Sequence, residues 1–114
     1  MPSIFGREEG TRWPRGQKFR LTALGQETEA SYQQVLQGAR QAGGRSAFDE
    51  ATKAFAAPLG LQPGDGTYLG ELKAQPRTIV DLLELLQDGG ATKAEVKAAL
   101  DRLIAAKLAE PVAA

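Results

Sequence analysis

The chain contains neither cysteine nor histidine among its 114 residues. The absence of thiols excludes a disulfide framework, and the absence of imidazoles removes the commonest metal ligand and general base. No hydrophobic run approaches the roughly 18 apolar residues of a membrane span, and residues 1–10 lack the apolar stretch of a signal peptide. We therefore expect no cofactor, no resident metal, no membrane association and a cytoplasmic location. A site built from carboxylates alone stays open.

Acidic residues give no sign of catalysis. Glu8-Glu9 and Asp49-Glu50 are adjacent pairs, and neighbouring side chains on a helix or strand diverge instead of converging on one substrate atom. The sequence also lacks a nucleophile elbow, a phosphate-binding loop and metal-ligand spacing. An enzyme is not expected, and no catalytic residue is predicted.

Positive charge is concentrated near the N-terminus, although the formal net charge is zero. Residues 1–57 hold eight Lys/Arg and six Asp/Glu, whereas residues 58–114 hold six Lys/Arg and eight Asp/Glu. The densest basic stretch has no acid within it and contains Arg12, Arg15, Lys18 and Arg20. Proteins that bind nucleic acid over a whole face are usually more basic, so binding here would be local or would use two copies.

Residues 1–57 predict a turn, a strand and two helices. Pro14 and Gly16 favour a turn at residues 13–17, and residues 18–22 alternate polar and apolar as a half-buried strand does. A helix is expected from Glu27 to about residue 42, with a buried stripe at Tyr32, Val35, Leu36 and Ala39. A second helix is expected with Ser46 as its N-cap and with core residues Phe48 and Phe55.

Residues 58–66 are rich in glycine and proline and predict a hinge. Residues 67–114 then predict a three-helix core and a strand. Thr67 is expected to cap the first helix, and Thr78 and Thr92 the next two. Asp81 and Glu95 lie three residues after the last two threonines, the spacing of a capping box. Residues 108–112 are typical of an extended edge segment.

Residues 67–112 resemble winged-helix transcription regulators. The resemblance is carried by PRTIVDLLELLQDGG as the second helix, ATKAEVKAALDRLIAAK as the third and LAEPV as the following strand. In that superfamily a hairpin, the wing, comes next, followed by a returning strand. Here KFRLTALGQ, residues 18–26, resembles the returning strand of MarR- and PadR-type wings. The resemblance implies a permuted arrangement, mainly α with a small antiparallel β-sheet, in which residues 18–24 pair with residues 108–112.

The resemblance also implies DNA contacts from the third helix. Its exposed N-terminal residues are Thr92, Lys93 and Lys97, and the two lysines share one face. Asp101 lies further along that face, and no Arg, Asn or Gln near the helix start could read bases by paired hydrogen bonds. The pattern therefore favours contact with phosphates or with a protein over sequence discrimination. An equally favoured alternative to any binding role is that Lys93 and Lys97 are simply solvated charges on a surface helix.

The basic stretch from Arg12 to Arg20 stands where the resemblance places a wing tip. Arginine can bind phosphate or enter a minor groove. Trp13 could stack on a base, but packing on the sheet is the favoured interpretation.

Two functions follow from these patterns. One is a DNA-binding regulator, acting as a homodimer on duplex DNA through the last helix and the basic turn. The other is an adaptor without DNA binding, in a bacterial or phage assembly, whose basic segment binds an acidic protein partner. The helix of residues 27–42 could form the dimer interface, although a role in the core is favoured.

Overall fold

Helices dominate the computed structural model, which describes residues 13–14 and 16–113. The helices are α1 (Ala23–Ala42), α2 (Arg45–Ala56), α3 (Gly66–Ala74), α4 (Ile79–Leu86) and α5 (Lys93–Ala105). The strands are β1 (Lys18–Leu21), β2 (Arg77–Thr78) and β3 (Ala109–Pro111). Short 3₁₀ turns lie at Ala57–Leu59, Pro63–Asp65 and Gln87–Gly89. The predicted class, mainly α with a small antiparallel sheet, is confirmed.

The sheet joins segments that are far apart in the sequence. Its order is β2-β1-β3, with both pairings antiparallel. Phe19 lies opposite Pro111 and Leu21 opposite Ala109, so the expected pairing with residues 108–112 is confirmed for residues 18–22. Residues 23 and 24, which the expectation included, belong to α1. Strand β2 was not predicted, because two residues are too few to show an alternating pattern.

The start of α1 is hydrogen-bonded to the segment between α5 and β3. Thr22 is the N-cap of α1, since its Oγ1 accepts a hydrogen bond from the Gly25 amide at 2.9 Å. The same hydroxyl donates to the carbonyl oxygen of Lys107 at 2.7 Å, and the Thr22 amide donates to that of Leu108 at 3.0 Å. The prediction that this helix begins at Glu27 is wrong, because the cap at Thr22 starts it at Ala23.

Two glycines allow close approach between α1 and the rest of the molecule. A Cβ atom at Gly25 would overlap the carbonyl oxygen of Leu108, and one at Gly66 would overlap the ring of Tyr32. Glycine is therefore required at both positions by a partner that lies far away in the sequence.

Two of the predicted N-caps are confirmed. Thr78 with Asp81 and Thr92 with Glu95 form complete capping boxes at the starts of α4 and α5. Because each box satisfies backbone donors that a helix end would otherwise leave free, these helix starts are defined locally.

The other two predicted N-caps are wrong. Helix α2 follows Gly44, which makes no side-chain cap bond, so Ser46 lies inside the first turn. Helix α3 begins at Gly66, directly after the 3₁₀ turn that ends at Asp65, so Thr67 is already helical.

The main core lies between the sheet and helices α3–α5. Its largest fully buried apolar side chains are Phe19, Leu69, Leu82, Val96, Leu100, Leu103 and Leu108. The predicted stripe of α1 is buried at Tyr32, Leu36 and Ala39, and half-buried at Val35. The prediction that Phe48 is a core residue is wrong, since 41% of its surface is exposed, whereas Phe55 packs against Tyr32 at a ring-centroid distance of 4.9 Å.

A buried ion pair ties residues 58–66 to α5. Asp65, buried, accepts hydrogen bonds from Arg102 Nε at 2.6 Å and Arg102 Nη2 at 2.9 Å, and also from the Gln62 amide. Because two hydrogen bonds join the two side chains, the pair fixes the orientation of the Arg102 guanidinium as well as its distance from Asp65. The interpretation of this segment as a hinge between two domains stays a prediction.

Candidate nucleic-acid interface

A surface groove of about 500 Å³ lies between the turn before β1 and the N-terminal half of α5. The turn contributes Trp13, Pro14, Gly16 and Gln17, the start of α4 contributes Thr78, Ile79 and Val80, and α5 contributes Lys93 and Lys97. Because β1 pairs with β3 next to α5, residues from opposite ends of the sequence meet here. None of these lining residues is acidic.

The turn before β1 is held by hydrogen bonds that Gln17 donates. The Gln17 amide donates to the Pro14 carbonyl oxygen at 3.0 Å, and Gly16 has a φ of 84°, which favours glycine. The side-chain Nε2 of Gln17 donates to the carbonyl oxygens of Lys18 at 2.9 Å and Val112 at 2.8 Å. The turn is thereby hydrogen-bonded to the residue that follows β3.

Trp13 packs on the sheet, as the favoured interpretation predicted. Its ring meets Phe19 edge to face, with centroids 5.1 Å apart and planes at 85°. The indole is only partly buried and also lines the groove. Its Nε1 atom is buried and has no hydrogen-bond partner among the described residues.

The N-terminal turn of α5 presents its lysines to the groove. Thr92 caps the helix through a 3.2 Å hydrogen bond from the Glu95 amide to its Oγ1. Lys93 is exposed and Lys97 is half-buried, and the two side chains lie one helical turn apart. The partial positive charge of the helix N-terminus adds to their charge at this end.

The other predicted basic residues lie outside the groove or outside the described residues. Lys18 and Arg20 are on the exposed face of β1, whereas Phe19 and Leu21 face the core. Arg20 forms an ion pair with Glu110, its cross-strand partner, at 2.9 Å from Nε to Oε2. Part of the predicted basic surface is thereby neutralised.

Arg12 and Arg15 were both predicted to contact DNA, and both lie outside the described residues. The described part of the chain therefore places Lys93 and Lys97 beside the turn, and Lys18 and Arg20 on the exposed face of β1. Thr92 caps α5 and is not among the residues that line the groove.

Lys18 also has an acidic neighbour. The pKa of Asp81 is held below its ordinary value, chiefly by the hydrogen bond from the Thr78 amide, with smaller contributions from Arg77 and Lys18. An incoming phosphate at Lys18 would therefore also meet the negative charge of Asp81.

Two groove residues were missed in the sequence. Gln17 fastens the turn, and no local pattern indicates that its partner is Val112. Val80 is 56% exposed at the groove. It stands outside the apolar stripe of α4, and a large apolar residue off that stripe is a usable signal for an exposed contact.

Comparisons of the chain with models of protein families, curated proteins and solved structures gave no match. Within the described residues, no group of three or more acidic side chains could hold a metal ion. No helix there has both the length and the apolar character needed to cross a membrane.

Proposed function

We propose that the chain is a small DNA-binding protein that contacts the backbone of duplex DNA through the groove. The observation that carries this proposal is the position of Lys93 and Lys97 opposite the turn before β1, with no acid among the described residues that line the space between them. A phosphate there would meet two ammonium groups beside a helix N-terminus.

The contacts are with phosphates more than with bases. Gln17 is an amide side chain that could read adenine, but its Nε2 already donates to two backbone carbonyl oxygens. Lysines act on phosphate as point charges, without the paired geometry that discriminates bases. We therefore expect weak sequence preference and strong salt dependence.

Affinity for one copy is modest under this proposal. The formal net charge is zero, and Arg20 is paired with Glu110. The proposal assigns further backbone contacts to Arg12, Arg15 and Lys18 and expects a homodimer that spans two half-sites. With about four phosphates neutralised per copy, each copy should contribute about −3 to −4 to the slope of the logarithm of the binding constant against the logarithm of the salt concentration.

The test is a salt titration against mixed-sequence duplex DNA, read by anisotropy of labelled DNA. Trp13, the only tryptophan, lines the groove and gives an independent fluorescence signal. The variant Lys93→Gln/Lys97→Gln should bring the slope closer to zero by about 2 for each bound copy.

A matched control removes two exposed basic charges from the ends of α1 and α2, in Arg40→Gln/Lys53→Gln, and should leave the slope unchanged. A wild-type slope near zero, or equal effects of the two double variants, would contradict the proposal.

The second candidate function is an adaptor that binds an acidic protein segment. It is favoured by the apolar part of the groove, where exposed Val80 lies beside Ile79 and Trp13. Changing Arg12, Arg15, Lys18 and Arg20 to alanine separates the two functions. Loss of DNA retention with protein capture intact supports DNA binding, and the reverse result supports the adaptor.

A further inference from the structure

A second cleft, of about 650 Å³, lies on the opposite side of α5 from the groove. Glu95, Ala98 and Arg102 line it from α5, and Tyr68 lines it from α3. Since Lys93 and Lys97 occupy the other face of the helix, the two surfaces share a helix but no lining residue.

Polar groups with unused hydrogen-bonding capacity meet in this cleft. Tyr68 is only 8% exposed, and its side chain lines the cleft. Glu95 uses Oε1 to cap α5 at 2.9 Å from the Thr92 amide, which leaves Oε2 available. The Tyr68 hydroxyl and the free carboxylate oxygen of Glu95 can both accept hydrogen bonds from a ligand group in the cleft.

The charges of the residues that line the cleft determine whether a positively or a negatively charged ligand is favoured. Asp65 and Arg102 are joined by two hydrogen bonds and largely neutralise each other, whereas the exposed Glu95 has no basic partner in the cleft. Burial and the negative charges of Asp65 and Glu95 raise the pKa of Tyr68, and the positive charge of Arg102 opposes this shift. The neutral hydroxyl can accept a hydrogen bond from a cation. A positive group is therefore favoured near Tyr68 and Glu95.

The rest of the cleft can accommodate the apolar part of a small molecule. Leu86, Ala91, Ala98 and Ala99 contribute carbon surface, and the backbone at Gly64, Gly89 and Gly90 adds no side chain that would fill the space. Small-molecule sites commonly combine such a surface with a few convergent polar groups.

We propose that this cleft binds a small organic amine, with its ammonium group at Glu95 and the Tyr68 hydroxyl and its apolar part against Leu86 and Ala98. The inference does not depend on DNA binding, because it uses the other face of α5. It assigns a second, separate binding site to the protein.

The test uses phenethylamine as the probe and phenylacetate as its anionic counterpart, followed by backbone-amide NMR. We expect saturable shifts for phenethylamine at residues 64–68, 89–91 and 95–102, at millimolar concentrations, and none for phenylacetate. Tyr68→Phe and Glu95→Gln should each weaken binding by about tenfold, because each removes a hydrogen bond to a charged group.

Both variants are chosen to keep the fold. Glutamine at position 95 can still accept from the Thr92 amide in a capping box, and phenylalanine keeps the ring of Tyr68. Glu84→Gln removes an exposed carboxylate of α4 outside the cleft and serves as the control. Absence of saturable shifts, equal binding of phenylacetate, or unchanged affinity in both cleft variants would overturn the proposal.

Discussion

The helical hairpin of α1 and α2 differs from the C-terminal unit of α3, α4 and α5 in how its structure is specified. In the C-terminal unit, α4 and α5 begin with capping boxes, and the unit supplies Leu69, Leu82 and Leu100 to the main core. In the hairpin, α2 begins without a side-chain cap and buries only Thr52 and Ala56 fully. The starts of α4 and α5 are thus defined by local signals, whereas α2 depends on contacts with the rest of the molecule.

The largest expected effect is at the contact between the two regions. In Gly25→Ala the new methyl group would overlap the Leu108 carbonyl oxygen, which belongs to the backbone and cannot turn aside. We expect a loss of about 3 kcal/mol in the free energy of unfolding, measured by urea denaturation.

Gly38→Ala is the matched control in the same helix, because nothing lies within 4 Å of its added Cβ. It should stabilise the protein by about 0.5–1 kcal/mol. Similar effects of the two substitutions would show that α1 does not approach Leu108 closely.

The next largest expected effect is a difference in stability loss between substitutions of two phenylalanines in α2. Phe55 packs against Tyr32, so Phe55→Ala should lower the free energy of unfolding by about 2–3 kcal/mol. Phe48→Ala should lower it by less than about 1 kcal/mol, since 41% of Phe48 is exposed. Equal losses in thermal denaturation would place Phe48 in the core after all.

A smaller effect compares the helix starts of the two regions. Thr92→Ala removes a hydrogen-bonded N-cap and should lower the free energy of unfolding by about 1 kcal/mol. Ser46→Ala should change it by less than about 0.5 kcal/mol, because Gly44 and not Ser46 precedes α2. A large loss in Ser46→Ala would contradict the structure of the hairpin's second helix.

The smallest effect is a pH dependence at the start of α4. The pKa of Asp81 is lowered in the folded state, chiefly by its hydrogen bond from the Thr78 amide. Its stabilising contribution is therefore complete above the unfolded-state pKa, near 4, and is lost as the pH falls through the lower folded-state value. Melting temperatures from about pH 6 to about pH 2 should fall less steeply in Asp81→Asn than in the wild type. Parallel curves would rule out this contribution.

Local patterns in the sequence predicted the starts of two helices and the central strand. The threonine-acid spacings identified the starts of α4 and α5, and the alternation at residues 18–22 identified the central strand. These features could be found because each depends on residues within a few positions of one another.

Features that depend on distant segments were missed. Gly25 is required by Leu108 and Gly66 by Tyr32, and the Asp65–Arg102 ion pair joins two segments 37 positions apart. Thr22 also escaped prediction as an N-cap, because Gly25 stands where a capping box has its acid.

Of the candidate site, the sequence predicted the two lysines and the turn. It did not predict the exposure of Val80 or the fastening of the turn by Gln17.

The central position of β1 in the sheet has a consequence for biosynthesis. Arg20 and its partner Glu110 are 90 positions apart, so a ribosome adding about 5–20 residues per second makes β3 roughly 5–20 s after β1. During that delay Phe19 and Leu21, which the finished fold buries, remain in contact with water. The nascent strand is then a natural substrate for chaperones that capture extended apolar segments, while α1 and α2 can already associate through contacts close in sequence.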